Sequence, residues 1–126
     1  MTATSSSIVF IPPDPPTIND FYLRGNVTAS PGGTVTVLTS VVPSGTTRKL
    51  TNVFITALND GDFSLLAAGI EIAAGRLDNV LHNISFKFDP PRPIAAGVTI
   101  ELKYTADSEP TITCPITAFL AANDQI

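Results

Sequence analysis

The sequence has few of the residues from which catalytic and metal sites are commonly built. It contains one histidine, His82, one cysteine, Cys114, and no tryptophan in 126 residues. A single cysteine cannot form an internal disulfide bond, so nothing in the sequence indicates an oxidising compartment. Nucleophile-elbow, phosphate-loop and paired-cysteine motifs are all missing. We therefore expect a protein that is not an enzyme and that needs no cofactor or metal ion.

Charged side chains are also scarce, at 14% of residues, whereas about a quarter is usual for a soluble protein. Eleven acidic residues outnumber seven lysines and arginines, which leaves a net charge of −4. Without a basic stripe to contact phosphates, direct binding to nucleic acid is not expected. No apolar run approaches the roughly 18 residues of a membrane span, and no basic segment precedes an apolar run near residue 1. We expect neither a membrane segment nor a signal peptide.

Two segments alternate apolar and polar side chains, and they indicate the fold class. A period of two is typical of strands with one buried and one solvated face, which antiparallel sheets contain. The apolar positions are Ile84, Phe86 and Phe88 in the first segment and Val98, Ile100, Leu102 and Tyr104 in the second. The sequence thus predicts an all-β protein with an antiparallel β-sandwich.

Turn residues divide residues 21–126 into about eight short strands, a number typical of a sandwich or jelly roll. We predict a bulge at Gly25, a hairpin turn at Asn59-Asp60-Gly61-Asp62, and an edge position or a break at Pro115. The residues of strand 48–58 are apolar at both parities, so its buried face stays open. Residues 21–126 are expected to form a single domain.

Residues 63–81 allow two interpretations. Alanine and leucine in SLLAAGIEIAAGRLDNVL favour a helix, but Gly69 and Gly75 each weaken a helix by about 1 kcal/mol. Both glycines stand where turns would be. We therefore predict strands over 63–68 and 70–74, with a short helical turn near 77–81 as an alternative for the end of this segment.

Residues 1–20 are expected to form an extended N-terminal arm. Four prolines occur in the five residues 12–16, and proline has a fixed φ and no amide hydrogen. An apolar cluster, Ile8, Val9, Phe10 and Ile11, precedes them. A stiff spacer behind an apolar segment suits an arm that reaches a neighbouring molecule. The alternative is a terminus that packs on its own domain.

The remaining candidate residues point to contacts rather than to chemistry. We predict that His82 is a solvated or structural histidine and Cys114 a buried, inert thiol. The oxygen-bearing side chains of residues 59–62 resemble a calcium loop, but turn chemistry explains them and no glutamate follows at the required spacing. Tyr22 has solvent parity beside Arg24, and these are residue types that anchor protein interfaces. Together with Ile8 to Ile11 they are the predicted partner interface.

Several turns make residues 34–120 resemble small jelly-roll modules in the virion proteins of tailed phages. The matching segments are Pro43-Ser44-Gly45, Asp60-Gly61, Gly69-Ile70-Glu71-Ile72-Ala73 and Ala95-Ala96-Gly97-Val98-Thr99-Ile100. Some carbohydrate-binding and tumour-necrosis-factor-like domains share such turns. The resemblance implies a capsid decoration (cement) protein on the virion surface, commonly a homotrimer, that contacts the major capsid protein or other virion proteins. The alternative is a receptor- or carbohydrate-binding module of a tail or head fibre.

Overall fold

The computed structural model describes residues 18–78 and 80–126, and in these residues it contains strands and no helix. The strands are β1 (Ile18–Ala29), β2 (Thr34–Val41), β3 (Thr47–Ala57), β4 (Gly61–Ala67), β5 (Ile70–Leu77), β6 (Asn83–Ile94), β7 (Thr99–Ala106) and β8 (Cys114–Gln125). The predicted all-β architecture is confirmed. Since β1 begins at Ile18, the sandwich starts three residues before the predicted boundary, and the rest of the proposed arm lies outside the described residues.

The eight strands form two four-stranded antiparallel sheets, in the orders β1-β8-β3-β6 and β2-β7-β4-β5. Their pairing is nested, because β4 pairs with β5, β3 with β6, β2 with β7 and β1 with β8. This nesting is that of a jelly roll, in which one long folded ribbon is rolled into two sheets. In the described part of the chain, no helix has the length and hydrophobicity needed to cross a membrane.

Only the β4–β5 connection joins neighbours in one sheet, and it is a two-residue hairpin at Ala68 and Gly69. Both residues have positive φ, 53° and 76°, as the type I′ turn that suits strand twist requires. The strand interpretation of residues 63–74 is confirmed. The helical turn considered near 77–81 is not found among the described residues there, because Leu77 ends β5 and residues 78, 80 and 81 are irregular.

The turn at Asn59-Asp60-Gly61-Asp62 is a crossing between sheets, so the predicted hairpin was wrong. β3 and β4 belong to different sheets. Gly61 does not have positive φ. A side chain is excluded at this position because its β-carbon would come within 2.6 Å of the Tyr104 ring. Close packing rather than turn geometry therefore requires the glycine.

Two further local predictions were also wrong. Gly25 is not a bulge, because β1 pairs with β8 without a register shift; its β-carbon would overlap the carbonyl of Val37 in the other sheet. Pro115 is at neither an edge nor a break, since β8 lies between β1 and β3. It is the second residue of β8, and its carbonyl accepts a hydrogen bond from the Leu58 N–H just beyond the paired part of β3.

The core lies between the sheets and takes apolar side chains from all eight strands, with Tyr104 as a large, fully buried member. Strand β3 contributes Leu50 before a register shift and Val53, Ile55 and Ala57 after it. The shift between Leu50 and Asn52 changes the buried parity, which explains why apolar residues of both parities occur in this strand.

The connections β1–β2, β3–β4, β5–β6 and β7–β8 meet at one end of the sandwich, here called the loop end. Backbone hydrogen bonds join them: the Gly32 N–H donates to Asp107, the Asp107 N–H to Asp60, and the Ala57 N–H to His82. This end therefore holds four separate loops against the ends of both sheets, which fixes the positions of the strand ends beside it.

Candidate functional site: the aromatic face

The outer surface of sheet β1-β8-β3-β6 carries the principal candidate site. Two adjacent cross-strand rows span its four strands: one contains Arg24, Phe119, Phe54 and Ser85, and the other Tyr22, Ala121, Asn52 and Lys87. We call these eight residues the aromatic face. With strands about 4.8 Å apart, the face spans about 14 Å across the sheet.

Three aromatic rings lie on neighbouring strands of this face. Tyr22 and Phe119 stack with their ring centroids 5.6 Å apart and an interplanar angle of 26°. Phe54 is directly opposite Phe119 on the other side. Tyr22 is 61% exposed and Phe54 36%, although aromatic side chains are usually among the most buried. Contiguous exposed aromatics on a sheet surface are typical of a surface that another molecule covers.

The aromatic face has cations at two opposite edges. Arg24 is exposed on β1, and Lys87 is exposed on β6; both are edge strands of the sheet. Neither cross-strand row contains a carboxylate. Exposed carboxylates lie just beyond the two rows, because Asp20 precedes Tyr22 by two residues on β1 and Asp89 follows Lys87 by two residues on β6, so both edges carry charges of both signs.

The outer surface of the other sheet differs, because some of its exposed charges form ion pairs. The Arg76 guanidinium donates to Asp62 at 3.2 Å and also forms an ion pair with Asp107. The hydrogen bond from Arg76 holds the pKa of Asp107 below its usual value. Lys103 and Glu101 lie on β7 of the same sheet. Exposed pairs of this kind contribute little to stability and are typical of a solvated surface.

The structure brings together two of the predicted interface residues. Tyr22 and Arg24 both lie exposed on the outer side of β1, two residues apart on the aromatic face. The other four, Ile8, Val9, Phe10 and Ile11, lie outside the described residues. Whether any of the six contacts a partner stays a prediction.

Sequence reasoning missed Phe119, Phe54 and Lys87. The outward direction of Phe119 could have been predicted, since Phe119 lies between the inward-facing Ala118 and Leu120. That of Phe54 could not, because the register shift in β3 hides the parity of that strand. Nothing in the sequence places Lys87 in the same cross-strand row as Tyr22, since that row crosses four strands.

A shallow, mostly apolar depression of about 410 Å³ adjoins the loop-end side of this sheet. Thr56, Ala57, Leu58, His82, Pro115 and Thr117 line it. Thr56 and Thr117 are opposite each other in the next outward-facing row after Phe54 and Phe119. The depression therefore extends the surface of the aromatic face toward the loop end.

The other residues that could carry chemistry have structural roles. Cys114 is buried and accepts a hydrogen bond from the Asn59 N–H at 3.3 Å, while the Tyr104 hydroxyl donates to the Asn59 carbonyl at 2.7 Å. Burial raises the pKa of Tyr104, so its hydroxyl stays a donor near neutral pH. Asn59, which belongs to the calcium-like segment, is itself buried. In residues 18–78 and 80–126, no three or more His, Cys, Asp or Glu side chains are grouped to hold a metal ion.

Comparison with models of protein families finds no matching family, and comparison with curated proteins finds no similar sequence. The jelly-roll fold and the aromatic face are the features of this chain that bear on its function.

Proposed function

We propose that this protein is a structural virion protein that decorates a phage capsid and stabilises it through contacts with neighbouring capsid subunits. The observation that carries the proposal is the aromatic face, where Tyr22, Phe119 and Phe54 lie together on an outer sheet surface. Buried aromatic and arginine side chains supply much of the binding energy of protein interfaces, and this face offers both types. The resemblance of the turns to phage jelly-roll modules directs the proposal to the capsid.

The size of the aromatic face indicates that further surface takes part. Two rows about 7 Å apart and about 14 Å long give a projected area on the order of 100 Å² between residue centres, and a few hundred Å² with the side chains. A stable interface covers about 800 Å² on each partner. In this proposal, the depression near His82 and the N-terminal segment supply the additional contact area. A tethered second contact raises the effective concentration of the first, which strengthens weak individual contacts.

Binding to capsids tests the proposal directly. The purified protein would be mixed with capsids assembled from the major capsid protein encoded in the same genome, and bound protein would be measured by co-sedimentation. We expect Phe54→Ala or Tyr22→Ala to lower occupancy strongly. Ile70→Ala is the matched control, because Ile70 is also exposed, at 69%, but lies on the other sheet. Unchanged occupancy for both aromatic variants would contradict the role of this face.

The oligomeric state and the contribution of the arm have separate tests. The proposal includes a homotrimer, and light scattering after size-exclusion chromatography would contradict it by finding a monomer at micromolar concentration. Deleting residues 1–17 leaves the described strands intact and removes the predicted anchor. We expect lower capsid occupancy after this deletion, and equal occupancy would remove the arm from the proposal.

A receptor- or carbohydrate-binding module of a tail or head fibre is the second candidate. It is favoured by one observation, the mixture of exposed rings with asparagine, serine and threonine side chains on one sheet surface, such as Asn52, Ser85 and Thr117 near Phe54. Negative-stain images of labelled protein on particles separate the two. Density across the shell supports decoration, and density only at a tail supports adhesion.

A further inference from the structure

We infer that the loop end is a second docking surface for the partner of the aromatic face, and that it binds a part of this partner that is apolar at its centre and basic at its rim. The inference rests on the proposed function, since it places both surfaces on one partner. It goes further because it assigns a binding role to the connections β3–β4, β5–β6 and β7–β8 and states the charge of the surface that they contact.

Exposed apolar side chains are concentrated at the loop end. Three of its four connections carry large apolar residues that are between 49% and 88% exposed: Leu58, Val80, Leu81 and Ile112. We call these four residues the loop-end cluster. Single exposed apolar residues need no explanation, but a contiguous group is typical of a surface that a partner covers.

Hydrogen bonds bring the three connections of the loop-end cluster together around Leu58. The residue before it, Ala57, donates its N–H to the carbonyl of His82, in the connection that carries two of the other apolar residues. The residue after it, Asn59, donates from Nδ2 to the carbonyl of Ile112 at 3.2 Å. The members of the cluster are therefore neighbours in space although they come from distant parts of the chain.

Asp78 fixes the turn that presents Val80 and Leu81. Its Oδ1 accepts hydrogen bonds from the N–H groups of Val80 and Leu81, at 2.9 and 2.8 Å, and its own N–H donates to the Leu81 carbonyl at 3.0 Å. A turn that is already ordered loses less conformational entropy on binding than a mobile one. The same carboxylate places a negative charge beside the cluster.

The loop end also carries the whole net charge of the protein. The connections and the strand ends beside them contain one base, Arg76, and five of the eleven acidic residues: Asp60, Asp62, Asp78, Asp107 and Glu109. The six acidic residues elsewhere are balanced by six lysines and arginines, so the net charge of −4 belongs to this end. Arg76 itself forms ion pairs with two of the five acids. The rim of the cluster is therefore acidic.

The loop-end cluster continues the outer surface that carries the aromatic face. Leu58 follows Phe54 by four residues on the outward side of β3 and its end, so the two lie about 14 Å apart. The cross-strand row between them consists of threonine and asparagine. One partner can therefore cover both surfaces, and the depression beside Leu58 can receive one of its apolar side chains. The loop end thus adds area that a stable interface needs.

The acidic rim argues against two other occupants. A symmetric contact between the loop ends of two copies would oppose five carboxylates to five others, with one arginine on each side, and such a contact is repulsive. Nucleic acid would bring its phosphates to the most acidic part of the chain. Lysine and arginine side chains around an apolar centre are instead attracted by the same carboxylates.

Association rates on immobilised capsids, assembled from the major capsid protein of the same genome, test the charge of the partner. Glu109→Lys is compared with Glu71→Lys, because Glu71 is also exposed but lies beside the hairpin at the opposite end. At low ionic strength we expect Glu109→Lys to slow association by on the order of 5-fold, and Asp60→Asn/Glu109→Lys by at least about 10-fold. The effect should shrink at about 0.5 M salt, while Glu71→Lys stays close to wild type.

Dissociation rates in the same experiment test the apolar centre. We expect Leu58→Ala to speed dissociation by on the order of 10-fold at every salt concentration, because a buried apolar anchor mainly holds the formed complex. Ile70→Ala is the matched control, since Ile70 is equally apolar and exposed but lies beside the hairpin. Circular dichroism would show that each variant retains its strands, and Leu81→Ala replaces Leu58→Ala if that variant unfolds.

The outcomes separate this inference from the proposed function. If the loop-end variants match their two controls while Phe54→Ala still weakens binding, the inference is wrong and the proposed function stands. If the aromatic and the loop-end variants all bind like wild type, both fail. Association rates for Glu109→Lys that equal those of Glu71→Lys, or exceed those of wild type, would overturn the basic rim and the inference with it. Self-association that is lost on Leu58→Ala in sedimentation experiments would identify a second copy on the loop end and overturn it too.

Discussion

The ion pair between Arg48 and Asp124 allows a sharp test of what holds the two sheets together. The Arg48 guanidinium, only 3% exposed, donates from Nε and Nη2 to the two oxygens of Asp124, at 2.7 and 2.9 Å. Its Nη1 donates to the Ser40 hydroxyl at 2.8 Å, and its Cζ lies 3.5 Å from the centre of the Phe21 ring. One side chain on β3 thus joins the end of β8 to β2 of the other sheet.

Removing the acid should cost more than removing the base. Asp124→Ala leaves a buried guanidinium without its counter-ion, a change that usually costs 3–5 kcal/mol. Asp124 is 16% exposed, so water can reach the gap and we expect the lower end, about 3 kcal/mol. Arg48→Met fills similar space without charge and leaves Asp124 near solvent, so about 1–2 kcal/mol is expected. The double variant should resemble Arg48→Met, because no unpaired buried charge remains.

Urea unfolding of the four proteins measures these differences. With a slope of about 1.5 kcal/mol per molar urea, a loss of 3 kcal/mol lowers the midpoint by about 2 M. Because the double variant should cost no more than Arg48→Met alone, the double-mutant cycle should report a coupling of about 3 kcal/mol between Arg48 and Asp124, equal to the cost of Asp124→Ala. A cost below about 1 kcal/mol for Asp124→Ala, or one no larger than that of Arg48→Met, would refute the reasoning, since the guanidinium would then be adequately solvated.

Three further predictions concern local geometry and charge. Ala68→Asn should raise the free energy of unfolding by about 0.5–1 kcal/mol, since asparagine tolerates the positive φ of 53° better than alanine; an unchanged urea midpoint would contradict this. Gly25→Ala should lower the free energy of unfolding by about 2 kcal/mol or more, because the added carbon overlaps the Val37 carbonyl. A urea midpoint equal to that of wild type would show that the two sheets can move apart there at little cost. Backbone hydrogen bonds, the most important of them from the Leu81 N–H, lower the pKa of Asp78 below its usual 3.8. The carboxylate therefore stabilises the folded state above pH 3.8, and this stabilisation is lost as the pH falls through the lower pKa of the folded state. The difference in thermal midpoint between wild type and Asp78→Ala should therefore narrow from pH 7 toward pH 2, and a constant difference would argue against the linkage.

Local patterning was enough to predict the strand content of this protein. Alternation at Ile84, Phe86 and Phe88 marks a strand because a side chain's face depends only on its neighbours along the chain. The hairpin at Ala68 and Gly69 is likewise local, since its two strands are adjacent in sequence. The exposure of Tyr22 and Arg24 followed from the same period of two.

The order of the strands, and with it the aromatic face, was decided only by the tertiary structure. Tyr22 lies next to Phe119 because β1 pairs with β8 almost one hundred residues later, and Lys87 joins their surface through β3. The register shift in β3 decides that Phe54 points outward, and Gly25 is required by a carbonyl of the opposite sheet. These features depend on which distant segments pair and in what register, and that choice is made by the packing of the whole core rather than by any short stretch of chain.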